Sequence, residues 1–228
     1  MKKLGLIIIV VSAMIYFFCS CESESSADVN QDRIHVLYEI LYNETSDLSH
    51  ARATFFFGGV TGTRLELASP SEVTANAEAM GYKSTLAYYE KEFTGYVQTC
   101  EFIWKDMDGN IFTNTVSIKE IDFPVTMDTI VKGQAYELTW VGTALETGET
   151  VWAYLDGTSE NDEVLATQNT QNATSIFLTA VQTDKLSVGT NTIKLTRKNN
   201  VDGQEVTSAG GSCTGTYETR TINIEVTE

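Results

Sequence analysis

The chain has 228 residues, 42% hydrophobic and 20% charged, a balance that supports a buried core and excludes wholesale disorder. Thirty-one acidic residues against fifteen basic ones give a net charge of −16, a field that repels phosphate backbones and excludes nucleic acid as a partner. Two prolines and sixteen aperiodic glycines exclude collagen-like and proline-rich fibres.

Lys2 and Lys3 form a short positive segment, and Leu4 to Phe18 is apolar or small but for Ser12. This reads as a secretory leader, shorter than the ~20 residues a membrane-spanning helix needs. Phe18-Cys19-Ser20-Cys21 follows, then the polar run Glu22-Ser23-Glu24-Ser25-Ser26. The residue before a cleavage point must be small, so Ser20 places the cut ahead of Cys21, whereas Phe18 blocks one ahead of Cys19. On these residues the N-terminus resembles a bacterial lipoprotein precursor. The resemblance implies that Cys21 is acylated, becomes the new N-terminus and attaches the protein to the membrane, stably if it carries more than one chain. Asp after that cysteine often retains such proteins at the inner membrane, so Glu22 implies the outer membrane. With Glu24, Asp28 and Asp32 it makes residues 21–32 an acidic tether, similar to export signals of some Gram-negative surface lipoproteins; a plain solvated linker fits equally. A simple signal peptide or an N-terminal anchor helix is the alternative to lipidation.

Beyond residue 32, period-two alternation dominates. Ile34, Val36, Tyr38, Ile40 and Tyr42 line one face of a first strand, and Ala51, Ala53, Phe55 and Phe57 one face of the next, closed by Gly58-Gly59. A short helix is expected around Pro70 to Met80. Cys100, Phe102 and Trp104 share a strand face, and Phe112, Val116 and Ile118 continue it after the hairpin signal Asp106-Met107-Asp108-Gly109-Asn110. Farther on, Tyr136, Leu138 and Trp140 alternate inward, and Thr143 to Glu149 form a loop. Val151, Ala153 and Leu155 alternate before Asp156-Gly157. Ile176, Leu178 and Ala180, then Ile193 and Leu195, then Ile222, Ile224 and Val226 mark three more strands. The fold expected is all-β: two tandem immunoglobulin-like β-sandwich domains of ~100 residues, 33–124 and 125–228, dividing at Phe123-Pro124. The tandem rhythm resembles Gram-negative surface lipoproteins, although neither half has the Cys…Trp…Cys spacing of true immunoglobulin domains. A single closed barrel is the alternative.

Chemistry is sparse. With Cys19 removed and Cys21 lipidated, Cys100 and Cys213 remain, expected as a buried thiol and an unpaired or partly exposed one. No Cys or His sits at metal-ligand spacing, so neither metal nor cofactor is expected. Only His35 and His50 occur, and Gly210-Gly211-Ser212-Cys213-Thr214 fails the nucleophile-elbow pattern at its last position, so an enzyme is not expected. Asp106, Asp108 and Asn110, and Asp156, Glu160, Asp162 and Glu163, read as a hairpin turn and a solvated loop, since the remaining ligands of an EF-hand do not follow.

Aromatics carry the functional hint. If Val151, Ala153 and Leu155 face the core, Trp152 and Tyr154 lie on the outer face, where they can stack on sugar rings or anchor a protein partner. The opposite register, or coverage by the neighbouring domain, buries them instead. Tyr82, Tyr88, Tyr89 and Tyr96 form a second aromatic region with the same ambiguity. Asp128-Thr129-Ile130 resembles the short O-glycosylation acceptor of some of these lipoprotein families. The function expected is a lipid-anchored, non-catalytic envelope protein, displayed at the outer membrane for ligand binding or structural support. Its variants are an accessory glycan-binding lipoprotein and, from another class, a fimbrial subunit assembling by strand exchange.

Overall fold

Alternating sequence becomes strand almost everywhere in the computed structural model, which describes residues 23–157 and 162–228; the leader, Cys21 and Glu160 lie outside the described residues. The first half contains β1 (Glu24–Ser25), β2 (Ile34–Asn43), β3 (Leu48–Phe57), β4 (Thr63–Glu66), β5 (Glu72–Ala75), β6 (Glu78–Ala79), β7 (Gly81–Lys83), β8 (Tyr88–Thr94), β9 (Thr99–Lys105) and β10 (Ile111–Ser117). The second contains β11 (Ile130–Val131), β12 (Tyr136–Thr139), β13 (Glu149–Asp156), β14 (Val164–Gln168), β15 (Ser175–Leu178), the short helix α1 (Ala180–Thr183), β16 (Gly189–Asp202), β17 (Gly211–Glu218) and β18 (Ile222–Thr227). The fold is all-β with immunoglobulin-like sandwich layering.

One main sheet runs in the order β1-β4-β3-β2-β17-β16-β13-β14, an open path rather than a closed barrel. Its inner face is covered in the first half by the sheet β10-β9-β5-β6, and the two-stranded sheet β12-β15 contributes Leu138, Ile176 and Leu178 to the core of the second half. Tyr38 stacks on Phe102 with centroids 4.9 Å apart and Phe55 tilts on Trp104 at 5.0 Å, locking the first pair of layers. Cys100, Phe102, Trp104, Val116 and Ile118 are buried on the face their alternation predicts.

The halves on either side of residue 124 meet in this sheet. β17 lies parallel to β2 over eight positions, from Gly211 opposite Val36 to Glu218 opposite Asn43. Gly215 in β17 has no room for a Cβ, which would collide with the Ser117 carbonyl of the overlying layer. Beyond the ladder, the β16–β17 hairpin covers the free edge of β10: the backbone N–H groups of Thr115 and Thr113 donate to Gln204 Oε1 and Glu205 Oε2, each at 2.7 Å. The buried Asn114 Oδ1 accepts from the backbone N–H of Gln204 at 2.8 Å and of Glu205 at 3.2 Å. These contacts give an otherwise open edge its partners. Asn114→Ala is expected to cost about 1–3 kcal/mol, because the Gln204 and Glu205 N–H groups and the Glu205 carbonyl all lose their partner at once; the shift in urea midpoint measures it.

Four expectations change. Residues 70–80 form β5 and β6 instead of a helix: Val73 and Ala75 alternate inward against β9, and the turn is made by Asn76 and Ala77, both at positive φ. Packing overrides the helix propensity of an alanine-rich stretch. The helix is Ala180–Thr183, started by a capping box between Thr179 and Gln182, so Ala180 ends no strand. The supposed tether is docked over residues 24–33: β1 pairs with β4, Ser26 is buried with its Oγ accepting from the Ala68 N–H at 2.8 Å, and Gln31 Nε2 donates to the Ser26 carbonyl at 2.7 Å. Finally, Cys213 is unpaired as expected but not partly exposed: it is as buried as Cys100, on the inner face of β17 opposite Tyr38, and both are free thiols. Among the described residues no helix is long and apolar enough to cross a membrane.

Candidate functional site

Val151, Ala153 and Leu155 are completely buried, so alternation along β13 puts Trp152 and Tyr154 on the outer face of the main sheet. Tyr154 is 37% exposed and Trp152 half-buried. The register aligns Thr150 with Lys198 of β16 and Thr216 of β17 in one row, and Glu39 of β2 with Thr214 and Asn200 in another. Trp152, with Thr150 and Lys198 of the first row and Glu39, Thr214 and Asn200 of the second, lines an open groove of about 430 Å³ across β2, β17, β16 and β13. Leu37 and Val60 add apolar surface; Glu39, Lys198, Asn200 and Thr214 add polar groups. Thr214 Oγ1 donates to Asn200 Oδ1 at 3.1 Å, which fixes the amide and leaves its NH2 as a donor. An apolar ring face beside a carboxylate, an ammonium and an amide suits a ligand with apolar faces and hydroxyl edges.

Tyr154 is not part of the groove lining. It stands farther along β13, opposite Lys194 and Leu165. The second aromatic region is packing: Tyr82 lies on the buried Tyr89 at 5.0 Å, Tyr96 joins Tyr42 and Tyr217, and Tyr88 lies under the Arg52 guanidinium. Thr129 is exposed in the loop before β11.

In the acidic loops, Asp106 and Asp162 spend their carboxylates on internal partners. Asp106 accepts from the Asn110 N–H and Nδ2, both at 2.8 Å, and Asp162 from Ser187 Oγ at 2.7 Å and the Gly157 N–H at 3.3 Å. Burial pushes the Cys100 thiol up to about 12 and that of Cys213 to about 11, so neither supplies a thiolate nucleophile at neutral pH. His35 Nδ1 is engaged with the Ala209 carbonyl at 2.9 Å.

No protein family matches the chain, and no curated protein matches it. Among solved structures it is similar to a tetra-tandem repeat in the extending region of a large adhesion protein, at 14% identity and a TM-score of 0.30, covering 84% of this chain and 49% of that one. It is also similar to a bacterial ice-binding adhesin, at 13% identity and a TM-score of 0.23, covering 86% and 66%. A third similarity is to the SGBP-B protein of the Bacteroides ovatus mixed-linkage glucan utilization locus in complex with a heptasaccharide, at 13% identity and a TM-score of 0.19, covering 90% and 65%. The chain thus spans about half to two-thirds of those chains, and at these scores they assign it no function.

Sequence reasoning singled out Trp152 but not its neighbours. Glu39 lies more than a hundred residues from Trp152 and reaches the groove only through the parallel pairing of β2 with β17. The signal available was register: Glu39, Lys198, Asn200 and Thr214 all hold outward positions on their strands.

Proposed function

We propose that the chain is a lipid-anchored, non-catalytic surface protein that binds a neutral glycan in the outer-face groove. The observation that carries this reading is Trp152, presented on the solvent side of a rigid sheet among Glu39, Lys198 and Asn200 instead of packed in the core. A net charge of −16 opposes an anionic polymer, and the groove's one ammonium is offset by one carboxylate, so the ligand is a neutral, hydroxyl-rich sugar chain. The leader and Ser20-Cys21 support acylation at Cys21. Because residues 24–33 dock on the first half, an anchor at Cys21 leaves three residues of reach, at most ~11 Å, and holds the body against the outer membrane.

Binding to a panel of immobilised neutral and acidic polysaccharides tests the groove. A neutral glycan is expected to bind saturably and independently of salt. Trp152→Ala is expected to weaken it at least tenfold, the loss of an aromatic anchor of about 2 kcal/mol, with the fold unchanged. Salt-sensitive binding of acidic polymers, or equal binding by the variant, refutes the reading; detergent-resistant ladders without glycan replace it with the fimbrial one. In cells, Cys21→Ala is expected to leave the outer-membrane fraction, whereas wild type stays there and is shaved by external protease.

A further inference from the structure

We propose that His50, Glu90 and Glu92 form a zinc-type divalent cation site at the β3–β8 end of the same outer face. His50 of β3 stands directly opposite Glu92 of β8, and Glu90 belongs to the adjoining pair opposite Arg52, so all three side chains project from one surface of two hydrogen-bonded strands. His50 Nδ1 lies 3.4 Å from Glu90 Oε1 and 3.7 Å from Glu92 Oε1, and one ligand atom from each residue falls within 4.8 Å of the others. Tetrahedral zinc with bonds of about 2.0–2.1 Å separates its ligands by about 3.3–3.4 Å, so His50 stands within a few tenths of an ångström of that spacing from each carboxylate, and the exposed Glu92 side chain swings in by up to about 1.4 Å to bring its oxygen to that spacing from Glu90.

A second observation points to a ligand. His50 Nδ1 is sealed from solvent and has no hydrogen-bond partner, although two carboxylates stand just beyond that geometry. A buried ring nitrogen left in this way is an exception in folded proteins, and a cation between it and the carboxylates satisfies all three.

The surrounding charges are compatible. Glu90 Oε1 also accepts from Arg52 Nε at 2.8 Å, and Lys83 Nζ lies 3.6 Å from Oε2. Arg52 thereby holds the Glu90 carboxylate in place, as outer-shell partners do, and its own charge is faced by Glu39, its cross-strand neighbour. One imidazole and two carboxylates with open positions for water suit zinc, whereas calcium and magnesium take all-oxygen sets. No ligand spacing marks the site in the sequence, because His50 and the two glutamates lie on different strands some forty residues apart. The site shares no residue with the groove.

Calorimetric titration of Zn2+ into the untagged, metal-free chain at neutral pH tests the proposal. One saturable site is expected. Glu92→Gln, at a side chain 54% exposed and therefore compatible with folding, is expected to weaken it at least ~10-fold, and His50→Ala to abolish it. Ca2+ and Mg2+ are expected to give no such binding. The absence of saturable binding, unchanged binding in both variants, or loss in His35→Ala instead of His50→Ala overturns the assignment and leaves the cluster an ion-pair network.

Discussion

Arg197→Ala is expected to lower stability by about 3–5 kcal/mol, read as a fall in the urea midpoint. Arg197 and Glu149 are only 1% and 3% exposed, and the Arg197 Nη2 lies 2.6 Å from Glu149 Oε2. The guanidinium also donates to the carbonyls of Thr143 at 2.9 Å and Ala144 at 3.2 Å, pinning the loop that leads into β13. Lys119 reaches the other carboxylate oxygen at 2.9 Å from the first half of the chain. Removing Arg197 strands a buried carboxylate with Lys119 as its remaining ion-pair partner. Replacing Arg197 and Glu149 together by Met is expected to cost less than the sum of the two single changes, since no charge is then left buried alone.

The same network sets an acid limit. Burial pushes the Glu149 carboxyl up, but the Glu146 N–H, Arg197 and Lys119 outweigh it and hold the group below the usual glutamate range. A carboxyl depressed in the folded state contributes stability that is complete above its unfolded value, here 4.5, and lost as pH falls through the folded one. Stability of the wild type is therefore expected to fall more steeply below about pH 4.5 than that of Glu149→Gln. Glu90, likewise held low beside Arg52 against its burial, is common to both proteins and cancels in the comparison.

The chain is also expected to unfold in one transition, with coincident midpoints from Trp104 in the first half and Trp140 in the second, although sequence rhythm divides it near residue 124. We propose that 33–124 and 125–228 are two sandwiches fused through one sheet. The eight-position ladder between β2 and β17 joins them, backed by the rings of Tyr42, Tyr96 and Tyr217, whose centroids lie 5.1 to 5.5 Å apart. Arg220 bridges Glu44 and Asp122, and Asn43 Nδ2 donates to Glu218 at 2.9 Å. Expressed alone, each half exposes an unpaired strand and part of this aromatic cluster, and is expected to lose cooperative unfolding and to aggregate. Two transitions, or a soluble half with a sharp midpoint, would show that the sandwiches are independent.

Strand identity was legible because alternation was strong: β2, β9 and β13 bury the residues whose spacing marks them, and β18 buries Ile224 and Val226 with Ile222 half-buried. What escaped was everything decided by a partner distant in sequence. Alanines in residues 70–80 read as helix until β9 is placed beside them. The acidic run before residue 33 reads as a free linker because the partners of Ser26 and Gln31 are backbone groups that no pattern displays. Cys213, in a glycine-rich stretch, is buried because β17 runs beneath β10, where Gly215 permits the close approach. The candidate site followed the same rule: Trp152 was visible on its strand, but its polar companions depended on strand order.

The proposed site places the ligand on the outer face at Trp152. A nuclear magnetic resonance titration with the neutral glycan selected from the panel tests it most directly, because the three tryptophans, Trp104, Trp140 and Trp152, supply three indole reporters. The Trp152 indole N–H is expected to shift together with the backbone amides of Lys198, Asn200 and Thr214, while the indoles of the buried Trp104 and Trp140 stay in place. Shifts confined to loops away from the sheet face, with Trp152 unmoved, would contradict it.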